Sequence, residues 1–264
     1  NPYPDLARIR ESPVVVNEKL GVWMLGRYHD VHAAARDSTA LSSRAGIMLR
    51  SFVTSAVLVT DPPDHTRLRH IAAPMFNKRA VQAFTADIKE LAAESLATLR
   101  DGAVVDMVPA LAVPMPINVI ARLLGIPRDQ WPTFRAISQR FAQAFAPRSA
   151  AELTHLLGTL LQAYVQLRSY IDSEIRRRAD QPVDDLLTRL QQAQAAGQLS
   201  SHEAFNYALT LLIAGNETTT NLLGMLLIQL AQNPEMFAAL KADRSLLPAA
   251  AEEAARWGSP VQWV

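Results

Sequence analysis

The stretch Leu211–Gly224, LLIAGNETTTNLLG, places polar side chains inside an otherwise apolar segment. The pattern is that of a long helix, on which Ala214 and Thr218 lie four residues apart on one face. A mid-helix threonine hydroxyl can bond the carbonyl four residues earlier and loosen the helix, and small residues leave room beside it. A buried carboxylate must be paired or hydrogen-bonded, so Glu217 is either ion-paired or placed to move protons. We predict a notch at Ala214 and Gly215; the alternative is a solvated polar stripe.

A second segment with chemical potential is DPPDHTRLR, which ends at Arg69. Asp61 and the two prolines after it are typical of a helix start. His65 and Arg69 then fall four residues apart on one helix face. Both side chains donate hydrogen bonds, so the pair suits a carboxylate or phosphate ligand. The alternative is a basic turn that faces solvent.

Two further pairs of residues are less specific. Glu253 and Arg256 lie three residues apart before a Gly-Ser-Pro break, where an exposed ion pair stabilises a helix only weakly. His29 and His32 form an HxxH pair on an amphipathic segment, which we interpret as surface rather than a metal site.

The composition limits the classes of function. The chain has 264 residues, 49% of them hydrophobic, and a formal charge of +1, so it gives no general attraction to nucleic acid or anionic membranes. It has no cysteine, which excludes disulfides, thiolate nucleophiles and cysteine-based zinc sites within it. Polar residues interrupt the apolar run near Leu211, and the start lacks a signal-peptide pattern. We therefore expect a cytoplasmic protein with one domain over residues 1–264.

The elements that must position these residues are mainly helices. A short two-stranded ribbon is predicted around Gly21, and helices are predicted over 78–100, 128–146, 150–178 and 184–196. Gly125, followed by a proline, is a helix stop signal. Ser200 and Glu203 have capping-box spacing at the start of a helix of roughly 32 residues, which should run through the centre of the molecule.

Taken together and in this order, the three segments resemble the cytochrome P450 family, particularly its soluble bacterial members. LLIAGNETTTN is similar to the family's central helix with its A-G-x-[DE]-T signature, and DPPDHTRLR to its heme-contacting helix with H-x-x-x-R. EEAARW followed by SPV resembles the helix that carries E-x-x-R. The resemblance extends from about residue 13 to the last residue and implies a mainly α fold with a small β-ribbon.

The resemblance implies a role for each candidate residue. Thr218 would hydrogen-bond dioxygen or the water beside it, Glu217 would help to relay protons, and Ala214 and Gly215 would leave room above the heme plane. His65 and Arg69 would hold the heme propionates. The pair Glu253 and Arg256 would anchor the segment before the loop that carries the heme ligand.

The axial cysteine of the family has no counterpart in this sequence, which contains no cysteine. We expect that the ligand loop lies beyond Val264, so that the chain is the N-terminal two-thirds of a monooxygenase and alone inactive. Two alternatives stay open: a heme-free relative that binds or activates another enzyme, and an unrelated helical domain. A heme-free relative would not need to keep His65, Arg69 and Thr218.

The resemblance also implies external partners. No G-x-G-x-x-G fingerprint for a flavin or nicotinamide is present, so a ferredoxin-type electron donor is expected. Basic residues near the second segment could form its docking patch, the alternative being solvated helix ends; they are Arg67, His70, Lys78 and Arg79. Apolar residues over 46–60, with Phe134, Phe141 and Phe145, favour a hydrophobic substrate, although core packing explains them equally well.

Overall fold

The structure is a computed structural model that describes residues 3–44, 57–97, 99–144 and 150–261, and no side chains over 141–144 and 150–157. Most of the apolar segment proposed to line a substrate cavity, residues 46–56, lies outside the described residues, as does Phe145. The side chain of Phe141 is likewise not described. Phe134 is a core residue that is 2% exposed.

The mainly α fold and the short ribbon are both confirmed. Strand β1 (Val15–Asn17) pairs antiparallel with β2 (Val22–Met24), with Val16 opposite Trp23. The helices of the described residues are α1 (Tyr3–Arg10), α2 (Tyr28–Arg36), α3 (Asp64–Ala72), α4 (Lys78–Ala97), α5 (Pro114–Leu124), α6 (Trp131–Ala144), α7 (Ala150–Asp180), α8 (Leu186–Ala195), α9 (Ser201–Gln232), α10 (Pro234–Ala242) and α11 (Leu247–Gly258).

The chain divides into two compact units, Asn1–Thr54 with Leu58–Thr66, and Ser55–Val57 with Arg67–Val264. In the first unit, the guanidinium of Arg27 donates to the carbonyls of Arg10 and Glu11 and so holds the end of α1 beside the start of α2. The second unit packs α4 to α11 around α9, which contacts α5, α6, α7, α8, α10 and α11.

Helix α9 is the central helix of the second unit. Its start has the predicted capping box, in which the Ser200 hydroxyl accepts from the Glu203 N–H and the Glu203 carboxylate accepts from the Ser200 N–H. The helix is 32 residues long. Contrary to our expectation, it is long and apolar enough to cross a membrane by length and composition, because an 18-residue window reaches a mean hydropathy of 1.2 despite the polar residues. Residues from Ala204 to Leu212, in the first part of the helix, are largely buried among other helices, whereas only 11% of the 18-residue apolar window is buried.

A buried charge cluster joins the ends of α5 and α7 to the start of α8. Arg178 is 1% exposed and its guanidinium donates to the carboxylates of Glu174 and Asp185 and to the carbonyl of Gly125. Asp185 also caps α8 by accepting from the N–H of Thr188. Burial alone would raise the pKa of Glu174, but hydrogen bonds from the neighbouring arginines outweigh it and lower that pKa. The cluster thus holds three helix ends together through one buried cation.

The segment before α5 differs from the sequence-based prediction. Prolines commonly interrupt a helix, but Pro114 and Pro116 lie in the first turn of α5, where a missing N–H costs nothing. Val108–Ala112 forms a π-helical turn directly before α5 and contacts α9. Helix α1, too, was not predicted, because eight residues with low hydrophobicity carry a weak periodic signal.

Candidate functional site

Thr218 lies on α9 at the edge of a cleft. Its hydroxyl donates to the carbonyl of Ala214, 2.7 Å away and one turn earlier, as the spacing predicts for a mid-helix threonine. The cleft has a volume of about 330 Å³ and is lined mainly by apolar atoms, from residues of α9 and of the chain around the end of α11: Thr218, Thr219, Leu222, Ala255, Ser259, Pro260 and Val261. Thr218 therefore lines an open, mainly apolar depression between α9 and the chain that follows α11.

The other polar residues of the central stretch have different surroundings. The Thr220 hydroxyl donates to the carbonyl of Ala112 in the π-helical turn, at 3.0 Å, and the Asn221 amide donates to the carbonyl of Pro260 at 3.3 Å. These two bonds hold neighbouring segments against α9. The predicted polar stretch thus combines a cleft lining with packing contacts, which sequence periodicity alone did not separate.

Asn216 and Glu217 contrast in burial. Asn216 is 8% exposed and its side-chain oxygen has no hydrogen-bond partner among the described residues. The side chain of Glu217 is exposed and is not paired with a described cation. Of the two roles considered for Glu217, the ion pair is therefore not found in the described part of the chain.

Ala214 and Gly215 are the small residues of the predicted notch. A Cβ on Gly215 would lie 3.0 Å from Cδ1 of Ile120 on α5, closer than most such contacts. The bare side of Gly215 therefore faces α5 and permits close packing of the two helices. Ala214 is half-buried and lies on the face of Thr218, so it is the small residue next to the threonine hydroxyl.

His65 and Arg69 both lie on α3, four residues apart as predicted. The N–H of His65 donates to the carbonyl of Asp61, at 2.9 Å, and the imidazole is half-exposed. Arg69 is exposed and unpaired with any carboxylate among the described residues. Burial raises the pKa of Tyr207 on α9, and the positive charge of Arg69 offsets part of that rise. Arg69 therefore lies near α9, the helix that carries Thr218. Thr218 is eleven residues after Tyr207, which is about 16 Å along the helix axis.

Glu253 and Arg256 form the ion pair that their spacing predicts. The guanidinium of Arg256 donates both hydrogen bonds to the carboxylate of Glu253, at 2.7 and 2.6 Å, and both side chains are more than half exposed. The hydrogen bonds from Arg256 lower the pKa of Glu253. The pair is thus bidentate and formed within α11 itself.

The HxxH pair on α2 is at the surface, as interpreted. His29, His32 and Tyr28 are exposed, and the Tyr28 ring stacks on His32 with centroids 5.7 Å apart. Nowhere in the part of the chain that the structure describes do three or more metal-ligating side chains cluster.

The fold is mainly helical, with the candidate site on its central helix, and comparison with known proteins gives the family. The sequence profile for Cytochrome P450 matches residues 18–246. Cytochrome P450 107B1 of Saccharopolyspora erythraea is 34% identical over 97% of this chain. The structure of CYP109Q5 from Chondromyces apiculatus is similar over 99% of the chain, with a TM-score of 0.85 and 31% identity. That of CYP109E1 from Bacillus megaterium in complex with testosterone gives a TM-score of 0.82 over 97% of the chain, with 28% identity.

The chain belongs to the cytochrome P450 family. It spans about 65% of the length of the curated relatives that it matches, since it covers 65% of P450 107B1 and 66% of the CYP109Q5 chain.

The family implies heme, and the described residues fit part of such a group. The guanidinium of Arg69, which is exposed and has no carboxylate partner among the described residues, suits a propionate carboxylate. The Thr218 hydroxyl and the small Ala214 leave a polar group and space beside α9. A thiolate ligand is not supplied by these 264 residues, which contain no cysteine. The described residues therefore offer a partner for the heme propionates and space beside α9, but no ligand for the iron.

Proposed function

We propose that this chain belongs to a heme-thiolate monooxygenase that inserts one oxygen atom of O2 into a hydrophobic small molecule. Bound heme with a thiolate ligand supplies the reduction of O2 and the cleavage of its O–O bond. The main support is the Thr218 hydroxyl, which lies on α9 at the edge of an apolar cleft and bonds the Ala214 carbonyl. Family membership supports the activity, and the testosterone complex of CYP109E1 agrees with an apolar substrate.

In this proposal, the residues of α9 hold and move protons. The Thr218 hydroxyl donates to Ala214 at rest, and a rotation about its side-chain bond turns the same donor into the cleft. Exposed Glu217 would exchange protons with solvent and pass them toward Thr218 through water. The apolar wall of the cleft would hold the substrate and exclude bulk water. Gly215 would keep α9 close to α5, so that this face is rigid.

Binding of heme and its electron supply would involve the other motifs. Arg69, with His65, would bind the propionates, and the pair Glu253 and Arg256 would anchor the chain after α11. We also propose a ferredoxin-type electron donor, since the sequence has no flavin or nicotinamide fingerprint, and a cytoplasmic location. Arg67 is not suited to the predicted docking patch, because its guanidinium is bonded within the second unit.

The absorption spectrum of the reduced protein with carbon monoxide tests the proposal as a whole. We expect the red-shifted Soret band of a thiolate-bound heme in the complete protein. A purified protein without any heme band would contradict the monooxygenase function and favour a heme-free binding partner of another enzyme.

Replacing Thr218 by alanine should uncouple electron consumption from product formation, because the proton donor of the cleft is lost. In the heme-loaded protein, product formed per reducing equivalent should fall severalfold while hydrogen peroxide release rises. Thr218→Ser keeps the hydroxyl and should retain most of the coupling, and Thr219→Ala changes a neighbouring cleft residue without removing that donor. Equal coupling in Thr218→Ala and the natural protein would remove Thr218 from proton delivery.

Replacing Arg69 by alanine should weaken heme retention, because a carboxylate loses its charged partner. The rate of heme transfer to excess apomyoglobin measures this, and it should rise about tenfold or more, as for lost groups that orient a metal site. Arg79→Ala, an exposed arginine on α4, is the matched control for loss of a surface charge. Normal retention in Arg69→Ala would return α3 to a purely structural role.

A further inference from the structure

The guanidinium of Arg67 bridges the segment before α9 and the first turn of α9. Its Nη1 donates to the carbonyl of Gln198 at 2.6 Å, and its Nη2 bonds the carboxylate oxygen Oε1 of Glu203. These partners are more than 130 residues away in sequence, so the bonds fasten α3 to the start of α9. The side chains are only partly exposed, at 40% for Arg67 and 18% for Glu203.

The capping box fixes the acceptor that Arg67 meets. The other carboxylate oxygen of Glu203, Oε2, accepts from the Ser200 N–H at 2.8 Å and from the Ser200 hydroxyl at 2.9 Å. Oε1 is thereby oriented toward α3. Burial alone would raise the pKa of Glu203, but the hydrogen bonds from Arg67 and Ser200 outweigh it, so the pKa is lowered and the group stays ionised.

The fastening determines where Arg69 lies. Leu68, between the two arginines, is 1% exposed, so α3 cannot rotate about its axis without unpacking a core residue. Tyr207, whose pKa responds to the charge of Arg69, lies one turn after Glu203 on α9. Arg67 thus bonds the first turn of α9, while the charge of Arg69 on the same helix α3 acts on Tyr207 in the next turn.

We propose that Arg67 is a positioning residue, which holds Arg69 at the site of the heme propionate by fastening α3 to the first turn of α9. The inference rests on the proposed function for the role of Arg69. The fastening itself depends only on the contacts that the guanidinium of Arg67 makes with Gln198 and Glu203. Lysine cannot reproduce it, because a single ammonium lacks the planar fork that reaches two separate acceptors.

The test compares Arg67→Gln with Ser200→Ala in the heme-loaded protein. Ser200→Ala removes the hydroxyl cap of α9 but keeps the backbone N–H that orients Glu203, so the bond to Arg67 remains. Two quantities are measured: amide hydrogen exchange over 65–72, and the rate of heme transfer to apomyoglobin. We expect Arg67→Gln to accelerate exchange in α3 and to raise heme loss about tenfold, whereas Ser200→Ala changes neither.

A second variant covers the case in which Arg67→Gln does not fold. Glu203→Gln keeps the hydrogen-bonding side chain of the capping box but removes the charge that Arg67 binds, and it should show the same two effects more weakly. Equal heme loss in Arg67→Gln and Ser200→Ala would overturn the positioning role, since general destabilisation would then explain both. The positioning role would also be overturned if Arg69→Ala loses heme faster than the natural protein but Arg67→Gln does not. Unchanged heme loss in both Arg67→Gln and Arg69→Ala would instead refute the propionate role of Arg69. In that case, faster amide exchange in α3 of Arg67→Gln would show only that Arg67 fastens α3 to α9.

Discussion

Replacing Arg178 by methionine should lower the free energy of unfolding by about 3 to 5 kcal/mol, the range for breaking a buried ion pair from one side. Methionine is unbranched and fills most of the space of the arginine stem, so the loss of charge rather than a cavity dominates. Urea unfolding followed by far-ultraviolet circular dichroism measures the change as a lower midpoint at a similar slope.

The expected size follows from the contacts of the guanidinium. The side chain of Arg178 has no exposed surface, and those of Glu174 and Asp185 are 8% and 5% exposed. Without the cation, the buried carboxylate of Asp185 loses its arginine, Glu174 keeps only the partly exposed Arg177, and the carbonyl of Gly125 loses its donor at 2.6 Å. A buried charge that loses its partner keeps its full desolvation cost.

The neighbouring Arg177 provides a matched control. It donates to the same carboxylate, of Glu174, at 2.8 Å, but its side chain is 39% exposed. Arg177→Met should therefore cost less than about 1 kcal/mol, because solvent screens the pair. If Arg178→Met and Arg177→Met lower the free energy of unfolding by similar amounts, burial does not determine how much the Arg178 contacts stabilise the protein.

Acid should reduce the difference between the natural protein and Arg178→Met. The arginines lower the pKa of Glu174 below its usual 4.5, so this contribution is fully present above pH 4.5 and is lost as the pH falls through the lowered value. The triple variant Arg178→Met, Glu174→Gln and Asp185→Asn should not show this pH dependence, because both carboxylates are replaced by neutral amides. That triple variant should recover part of the stability, and no recovery would contradict an electrostatic origin.

Local features of the fold were predictable because they depend on neighbours in sequence. Ser200 and Glu203 form the capping box three residues apart, and the α9 that they begin has the predicted length. Gly125 ends α5 in the left-handed region, with φ of 73°, as the stop signal predicted. The mid-helix bond of Thr218 to Ala214 likewise spans one helical turn.

The partners of the polar residues could not be predicted, because they lie far apart in sequence. Thr220 bonds a carbonyl in a π-helical turn 108 residues earlier, which has no helical periodicity to announce it. Arg67 was predicted either to join a docking patch or to lie at a solvated helix end, and its partly exposed guanidinium is bonded to Gln198 and to the first turn of α9. A charged residue on a helix gives the same pattern whether it faces solvent or a distant carboxylate. The sequence therefore indicates where the polar residues lie along each helix, but not which distant groups they contact.

At Gly125, the sequence predicts the backbone conformation but not the contact with a distant side chain. The sequence predicts a glycine after α5 because only glycine adopts positive φ at low cost. The structure adds a second reason, since a Cβ there would lie 1.8 Å from Oδ2 of Asp185 and 2.8 Å from Nη2 of Arg178. Backbone conformation and the buried ion pair thus both require that Gly125 has no side chain.

Gly125→Ala should consequently cost at least about 3 kcal/mol, because the methyl group must push Asp185 away from Arg178 in addition to straining the backbone. Gly197 supplies the control: its φ is 69° and nothing lies within 4 Å of a Cβ built on it. Gly197→Ala should therefore show the backbone strain alone, about 1 to 2 kcal/mol.

The double variant Asp185→Asn with Gly125→Ala separates the cost of backbone strain from the cost of breaking the ion pair between Asp185 and Arg178. If the methyl group already breaks the pair with Arg178, the double variant should lose clearly less stability than the sum of the single variants, as expected for residues that share a contact. Additive losses, or equal losses in Gly125→Ala and Gly197→Ala, would mean that Asp185 moves aside without cost. The glycine would then serve only the turn, and the cluster at the ends of α5, α7 and α8 would not require its close approach.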